Sequence, residues 1–318
     1  MKRFRMLLLG LVLVLGLGLG AAACGGDDEG DSASSGSSQS ADMPGEGKPA
    51  VTIGTKDFTE EFVLGELYKQ ALEAKGYKVN LKKNIGATEI IDKALTSGQI
   101  DGYPEYLGVT LAVVAKEDKP ASSEEDTYNK AKAFYEKRGQ TVSERTPFFD
   151  VDAIATTKQY AEKNKLESVA DLKNVGSFTV GARPEFRSRQ QGLKGMDQVY
   201  GVKDNVKFKQ LALGLQYPSL DKGDVDTANV FSTDAQLASG KYKVLKDPKG
   251  VFGYQNVAFV IDQKKLEALG GQQFMDVINN LNKLLTNDAM IAMNKAVAID
   301  KQDEAAVAKQ FLQANKVL

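Results

Sequence analysis

From Val51 onward, short apolar runs alternate with longer stretches whose apolar residues recur every three or four positions. A chain patterned this way has one economical solution. Strands bury both faces under amphipathic helices, which predicts α/β layers built on parallel strands. Residues 51–54 read as the first strand. Thr59 or Asp57 reads as the cap of a helix with an apolar stripe at Leu64, Leu67, Tyr68, Ala71 and Leu72, stopped near Gly76. Residues 77–81 form a second strand, residues 86–97 a helix, and residues 100–103 a third strand after the Gly98 turn. Helical segments follow near 106–114, 124–137 and 159–164. Further strands are expected at 152–156, 178–181, 206–209, 225–231, 242–245 and 255–261, and helices fill the remainder; no internal repeat is visible.

The residues before this pattern behave differently. Lys2, Arg3 and Arg5 precede an apolar run over 6–20, about fifteen residues against the roughly 20 that a membrane-crossing helix needs. Small residues and Cys24 close it. This is an export signal over 1–24, and Cys24, the only cysteine of 318 residues, leaves no partner for an intrachain disulfide. Its position after Ala21, Ala22 and Ala23 reads as a lipidation site. The two-chain anchor so created would hold the protein on the outer side of the cell membrane; an unlipidated secreted chain is the alternative. The GLGLG run at 16–20 lies inside the signal and is not a dinucleotide loop. Residues 25–49 are polar and Gly- and Ser-rich, a flexible tether. Some 270 residues remain, roughly the size of two lobes rather than one simple core.

Composition then removes whole classes of activity. The chain contains no histidine, so Ser-His-Asp triads, Cys-His dyads and the usual catalytic zinc sets are excluded. Its 41 basic and 42 acidic residues are interspersed, which argues against a nucleic-acid partner. Asp221, Asp224 and Asp226 match no calcium loop, and no metal or cofactor site is expected.

Ligands of α/β proteins meet the carboxyl ends of parallel strands. That rule selects residues 56–61, Thr88, 103–106, 184–189, 231–234 and 252–256. Two of these segments place aromatic rings beside Pro104 or Gly253, where each ring either meets a ligand or plugs the core. Lys56, Arg187 and Arg189 offer donors for a carboxylate, and Asp150, Asp152 and Glu185 could face a cation. Taken alone, the two arginines read more readily as solvated or paired surface residues than as ligand contacts.

Four stretches carry a more specific signal by their order and spacing: IGTKDFTEEFVLGELY at 53–68, GATEIIDKALTSGQIDGYPEYLG at 86–108, PEFRSRQQGLKGMDQVYG at 184–201, and GDVDTANVFSTDAQLASGKYKVLKDPKGVFGYQN at 223–256. Through them the chain resembles the osmoprotectant-binding family that serves glycine-betaine, choline and carnitine ABC transporters. The resemblance implies a two-lobed type II periplasmic-binding-protein fold with a ligand cleft between the lobes. The chain would cross near Asp152 and Val257, giving one lobe of 50–151 plus 258–318 and another of 152–257.

It also implies a cage of rings for a trimethylammonium head, falling here on Tyr106, Asp152, Phe231 and Tyr254, with Arg189 and Lys56 at the carboxylate end. Phe231 keeps a π face. Asp152 stands where a ring is expected; its carboxylate would either favour a net cation such as choline or be neutralised by Arg189. The implied role is a monomeric, non-enzymatic, extracytoplasmic solute-binding protein that delivers a small quaternary amine to a permease subunit. Three other readings remain: the same fold with another solute such as ergothioneine or an amino acid, an enzyme on the same scaffold, and a ligand-sensing lipoprotein.

Overall fold

The computed structural model describes residues 43–318. The signal segment, Cys24 and most of the expected tether lie outside the described residues. The tether's end does not: Gly45 is buried and its N–H donates to Lys75 O at 2.9 Å, which pins the chain to the folded part at that point.

Ten strands are present among the described residues: β1 (Val51–Gly54), β2 (Val79–Lys82), β3 (Gly102–Tyr106), β4 (Gln140–Val142), β5 (Asp152–Thr157), β6 (Phe178–Ala182), β7 (Val206–Gln210), β8 (Thr227–Phe231), β9 (Tyr242–Leu245) and β10 (Val257–Asp262). They form two five-stranded sheets with orders β2-β1-β3-β10-β4 and β7-β6-β8-β5-β9. Each sheet therefore carries a single strand antiparallel to its neighbours, β10 in the first and β5 in the second. Both of these strands directly follow a passage of the chain between sheets. The two passages touch, since Phe149 bridges Asn256 and the Asp150 N–H donates to Gln255 O at 3.2 Å. The sheets thus repeat one topology without any repeat of sequence.

The apolar runs explain why both faces of each sheet are covered. Along β10, Val257, Phe259 and Ile261 enter a core with Leu64, Tyr68 and Phe274, while Ala258 and Val260 enter another with Ile91, Tyr103 and Tyr135. The helix α1 (Thr59–Glu73) buries the predicted stripe of Leu64, Leu67, Tyr68, Ala71 and Leu72 against the first of these cores. In the second lobe, Ile154, Val180 and Ala182 face one core, and Ala153, Ala155 and Val230 face the other.

Two local expectations change. The Tyr103-Pro104-Glu105-Tyr106 segment is not a loop but the fully buried end of β3, paired with β10 through Tyr106↔Val257. Proline is tolerated there because β1 pairs with β3 only at Gly102, leaving that side of Pro104 without a ladder to complete. The N-cap of α1 is Phe58, which makes no side-chain cap, rather than Thr59 or Asp57.

Candidate functional site

The strand ends, two helix starts and one chain passage converge on a cleft between the lobes, with about 490 Å³ of free space including its solvent-open mouth. The first lobe contributes Lys56, Phe58 and Tyr106, together with Ala87 and Thr88 at the start of α2 (Thr88–Thr96); the second contributes Asp152, Arg183, Glu185, Arg189 and Phe231. Neither α1 nor α2 has a side-chain cap. Both therefore present backbone N–H groups and the positive end of a helix dipole toward the cleft.

Three rings meet there. Phe58 stacks on Phe231 across the lobes, with centroids 5.3 Å apart and planes 17° from parallel, and leans on Tyr106 at 5.9 Å. The Tyr106 hydroxyl donates to Glu60 Oε1 at 2.7 Å, fixing the ring. Burial, with Glu60 alongside, pushes that hydroxyl well above its ordinary pKa, so it stays a donor.

The charges around the rings are paired. Lys56 Nζ sits 4.6 Å from the Tyr106 centroid and is salt-bridged to the buried Glu105, whose carboxylate also accepts from the Tyr103 hydroxyl at 3.0 Å and the Tyr106 N–H at 2.7 Å. Arg183 lies over Phe231 at 5.1 Å and donates to both oxygens of Asp152 at 2.8 Å each. Asn229 closes the network, accepting from Arg183 and donating to Asp152 Oδ1, each at 2.8 Å. Glu185 adds a 3.3 Å contact to Arg183 Nε.

Of the residues singled out in the sequence, Tyr106, Phe231, Lys56, Asp150, Asp152, Glu185 and Arg189 line this cleft. Their roles shift. Asp152 is neutralised, but by Arg183 rather than by Arg189. Arg189 instead donates to Glu89 on α2 at 2.8 Å, a contact between lobes. Arg187 turns away and lies over Phe208 at 5.7 Å.

Tyr254 does not join the rings, and its expected place in the cage is corrected. It is 40% exposed and borders a separate cavity with Gln191 and Gly108. The cause is the turn at Gly253, left-handed at φ +68°: Phe252 before it enters a core of the second lobe and Gln255 after it donates to Gln191, which leaves Tyr254 between them facing outward.

Phe58 and Arg183 were not singled out. Phe58 falls within the segment selected after the first strand, and Arg183 immediately precedes the one selected after β6. Strand-end position was therefore the available signal for both.

The family model described as "OpuAC: Substrate binding domain of ABC-type glycine betaine transport system" matches residues 49–314. A glycine-betaine-binding protein of Pseudomonas aeruginosa is 31% identical over 277 residues, covering 84% of this chain and 88% of that protein. An ergothioneine transport permease/ergothioneine binding protein of Helicobacter pylori is 28% identical over 271 residues, covering 84% of this chain and 48% of that protein. The crystal structure of a glycine betaine/carnitine/choline ABC transporter protein superposes with a TM-score of 0.68 at 25% identity, covering 84% of this chain and 99% of that one. The chain belongs to the OpuAC family of substrate-binding domains of ABC-type glycine betaine transport systems.

Proposed function

We propose that this protein captures a zwitterionic quaternary amine, with glycine betaine or carnitine preferred to choline, and presents it to a membrane permease. The observation that carries the proposal is the meeting of Phe58, Tyr106 and Phe231 beside two buried, paired cations. A quaternary ammonium has no N–H to donate, so ring faces and diffuse negative charge are what can hold it. Three faces contribute on the order of 2–6 kcal/mol. Micromolar affinity corresponds to about 8 kcal/mol, so the other end of the ligand must contribute too.

The cleft is suited to that second contribution. Lys56, Arg183 and the uncapped starts of α1 and α2 favour a carboxylate. Because Arg183 neutralises Asp152, that carboxylate adds little net attraction for choline, which also lacks the carboxylate that Lys56 and Arg183 would meet.

In this reading the lobes, 50–151 with 258–318 and 152–257, close on the ligand, and contacts made only in the closed form stabilise it. Capture is extracytoplasmic. Cys24 would carry the lipid anchor, residues 25–42 would tether the domain, and the protein would act as a non-catalytic monomer. A second reading, ergothioneine as ligand, draws on the 28% identity to the Helicobacter pylori protein and on ergothioneine's being itself a betaine.

The test is a calorimetric titration of the soluble domain with glycine betaine, carnitine, choline and ergothioneine. Tightest binding by glycine betaine or carnitine supports the proposal. Preference for choline overturns the assigned carboxylate end, and binding of none of the four overturns the function.

A further inference from the structure

Behind the Phe58–Phe231 stack lies a second chamber of about 980 Å³ of free space, open mouth included. It shares Asp57, Phe58, Asp150, Leu213 and Phe231 with the ligand cleft, so the stacked rings form a wall between the two. On its far side, groups from both lobes and from the chain passage meet at the lobe junction. Glu60 comes from α1, Asn294 from the first-lobe helix Asn287–Ala298, Asp150 from the passage, and Thr233 and Asp234 from the turn after β8.

The hydrogen bonds here show an excess of acceptors. Glu60 accepts from the Tyr106 hydroxyl and from Asn294 Nδ2, each at 2.7 Å. Asp150 Oδ1 accepts from the Ser232 hydroxyl at 3.1 Å and the Thr233 N–H at 3.2 Å. Asp234 accepts from the Tyr217 hydroxyl at 2.9 Å and the Phe231 N–H at 3.0 Å. Every one of these donors is neutral.

The nearby cations are engaged elsewhere. Lys56 pairs with Glu105, Arg183 with Asp152 and Glu185, and Lys301 donates to Ala298 O at 2.7 Å. Two other acids lie against the cluster: Asp152, paired with Arg183, and Glu61, which accepts from the Lys56 N–H at 3.0 Å and whose pKa burial pushes up to about 8. Asn294, 7% exposed, spends its NH₂ on Glu60 and, across the lobes, on Thr233 O at 3.3 Å. Its Oδ1 is buried without a partner, one more acceptor lacking a proton.

Three carboxyl groups gathered beside an unpartnered amide oxygen, with only neutral donors to hold them, cannot all stay ionised at low cost. We propose that the Glu60–Asp150–Asp234 cluster takes up a proton when the lobes close, so that ligand capture is linked to proton uptake. Opening the lobes parts Glu60 and Asn294 from Thr233 and Asp234 and returns the acids to water. Burial raises the pKa of all three acids, to about 6 for Asp234. A group whose pKa rises on closure favours the closed form at pH values below the raised pKa, and that advantage fades as pH climbs through it. Asp150 lines the ligand cleft as well, where a seated ammonium keeps it ionised, whereas Glu60 and Asp234 sit behind the ring wall and are the groups that take the proton.

This inference rests on the proposed capture of a quaternary amine, and the experiment separates the two. Glycine betaine is titrated calorimetrically at pH 7 in phosphate and in Tris, whose ionisation enthalpies differ, and dissociation constants are followed from pH 5.5 to 8. The expected result is net proton uptake and binding that weakens with pH, by up to about tenfold per unit for one proton. Glu60→Gln, which keeps an acceptor for Tyr106, is expected to reduce the uptake.

Buffer-independent enthalpies with a flat affinity profile, or uptake unchanged in Glu60→Gln, overturn the inference. Should no amine bind, small-angle scattering of the ligand-free domain decides it alone: a more compact particle at pH 5.5 than at pH 8 supports proton-linked closure, and identical profiles refute it.

Discussion

Replacing Arg183 by Leu removes the cation paired with Asp152, and the cost follows from the geometry. Both side chains are 8% exposed, and the pair is bidentate at 2.8 Å with Asn229 satisfying one further position on each. Without Arg183 the carboxylate keeps one neutral donor, Asn229 Nδ2, in a site shielded from water. Stranding one partner of such a pair costs about 3–5 kcal/mol. At roughly 2–4 °C per kcal/mol for a protein of this size, the melting temperature falls by roughly 6–20 °C.

Asp152→Leu is expected to cost less than Arg183→Leu, because Glu185 remains beside the guanidinium at 3.3 Å. The double variant, Arg183→Leu with Asp152→Leu, recovers most of the loss, since an apolar pair has no charge left to desolvate. Thermal and urea unfolding followed by circular dichroism measures all three. A loss under about 1 kcal/mol for Arg183→Leu, or a double variant as unstable as the sum of the singles, would refute the buried-pair account.

Two further expectations concern the cleft itself. Phe58→Ala removes a ring that touches both other rings and should weaken glycine betaine binding by tenfold or more, whereas Tyr254→Ala, outside the cleft, should change it less than twofold; equal effects would restore Tyr254 to the cage. Glu89→Gln weakens the 2.8 Å contact from Arg189 between lobes; with Glu89 half-exposed the pair contributes roughly 0.2–1 kcal/mol, so ligand release should quicken at most about fivefold, and 0.5 M salt should produce the same change in the unaltered protein. Slower release in Glu89→Gln would contradict a latch.

The architecture was legible because apolar runs with both faces buried announce themselves: β1 and β9 fall where they are expected, and β5 begins at Asp152 as expected. β4 was not, since Gln140-Thr141-Val142 is three residues long, mostly polar, and exists by pairing with β10. At the site, residue types were easier to read than their aim. Arg183 and Arg189 stand six positions apart around the short helical turn Pro184–Arg187, and the sweep of that turn decides which guanidinium reaches Asp152 and which reaches Glu89. Similarly, a phenylalanine at an N-cap position carries no signature of binding. Phe58 gains its role only when β8 of the other lobe brings Phe231 against it. The acceptor-rich junction depends on residues spread from Glu60 to Asn294, and no local pattern joins them.

The central claim is that rings, not hydrogen-bond acceptors, select the ligand's cationic end. A calorimetric series of glycine, N-methylglycine, N,N-dimethylglycine and glycine betaine tests it most directly, because the carboxylate is constant while N–H donors are replaced by methyl groups. The account predicts affinity rising with each methyl and highest for glycine betaine; affinity that is flat or falls along the series would contradict it.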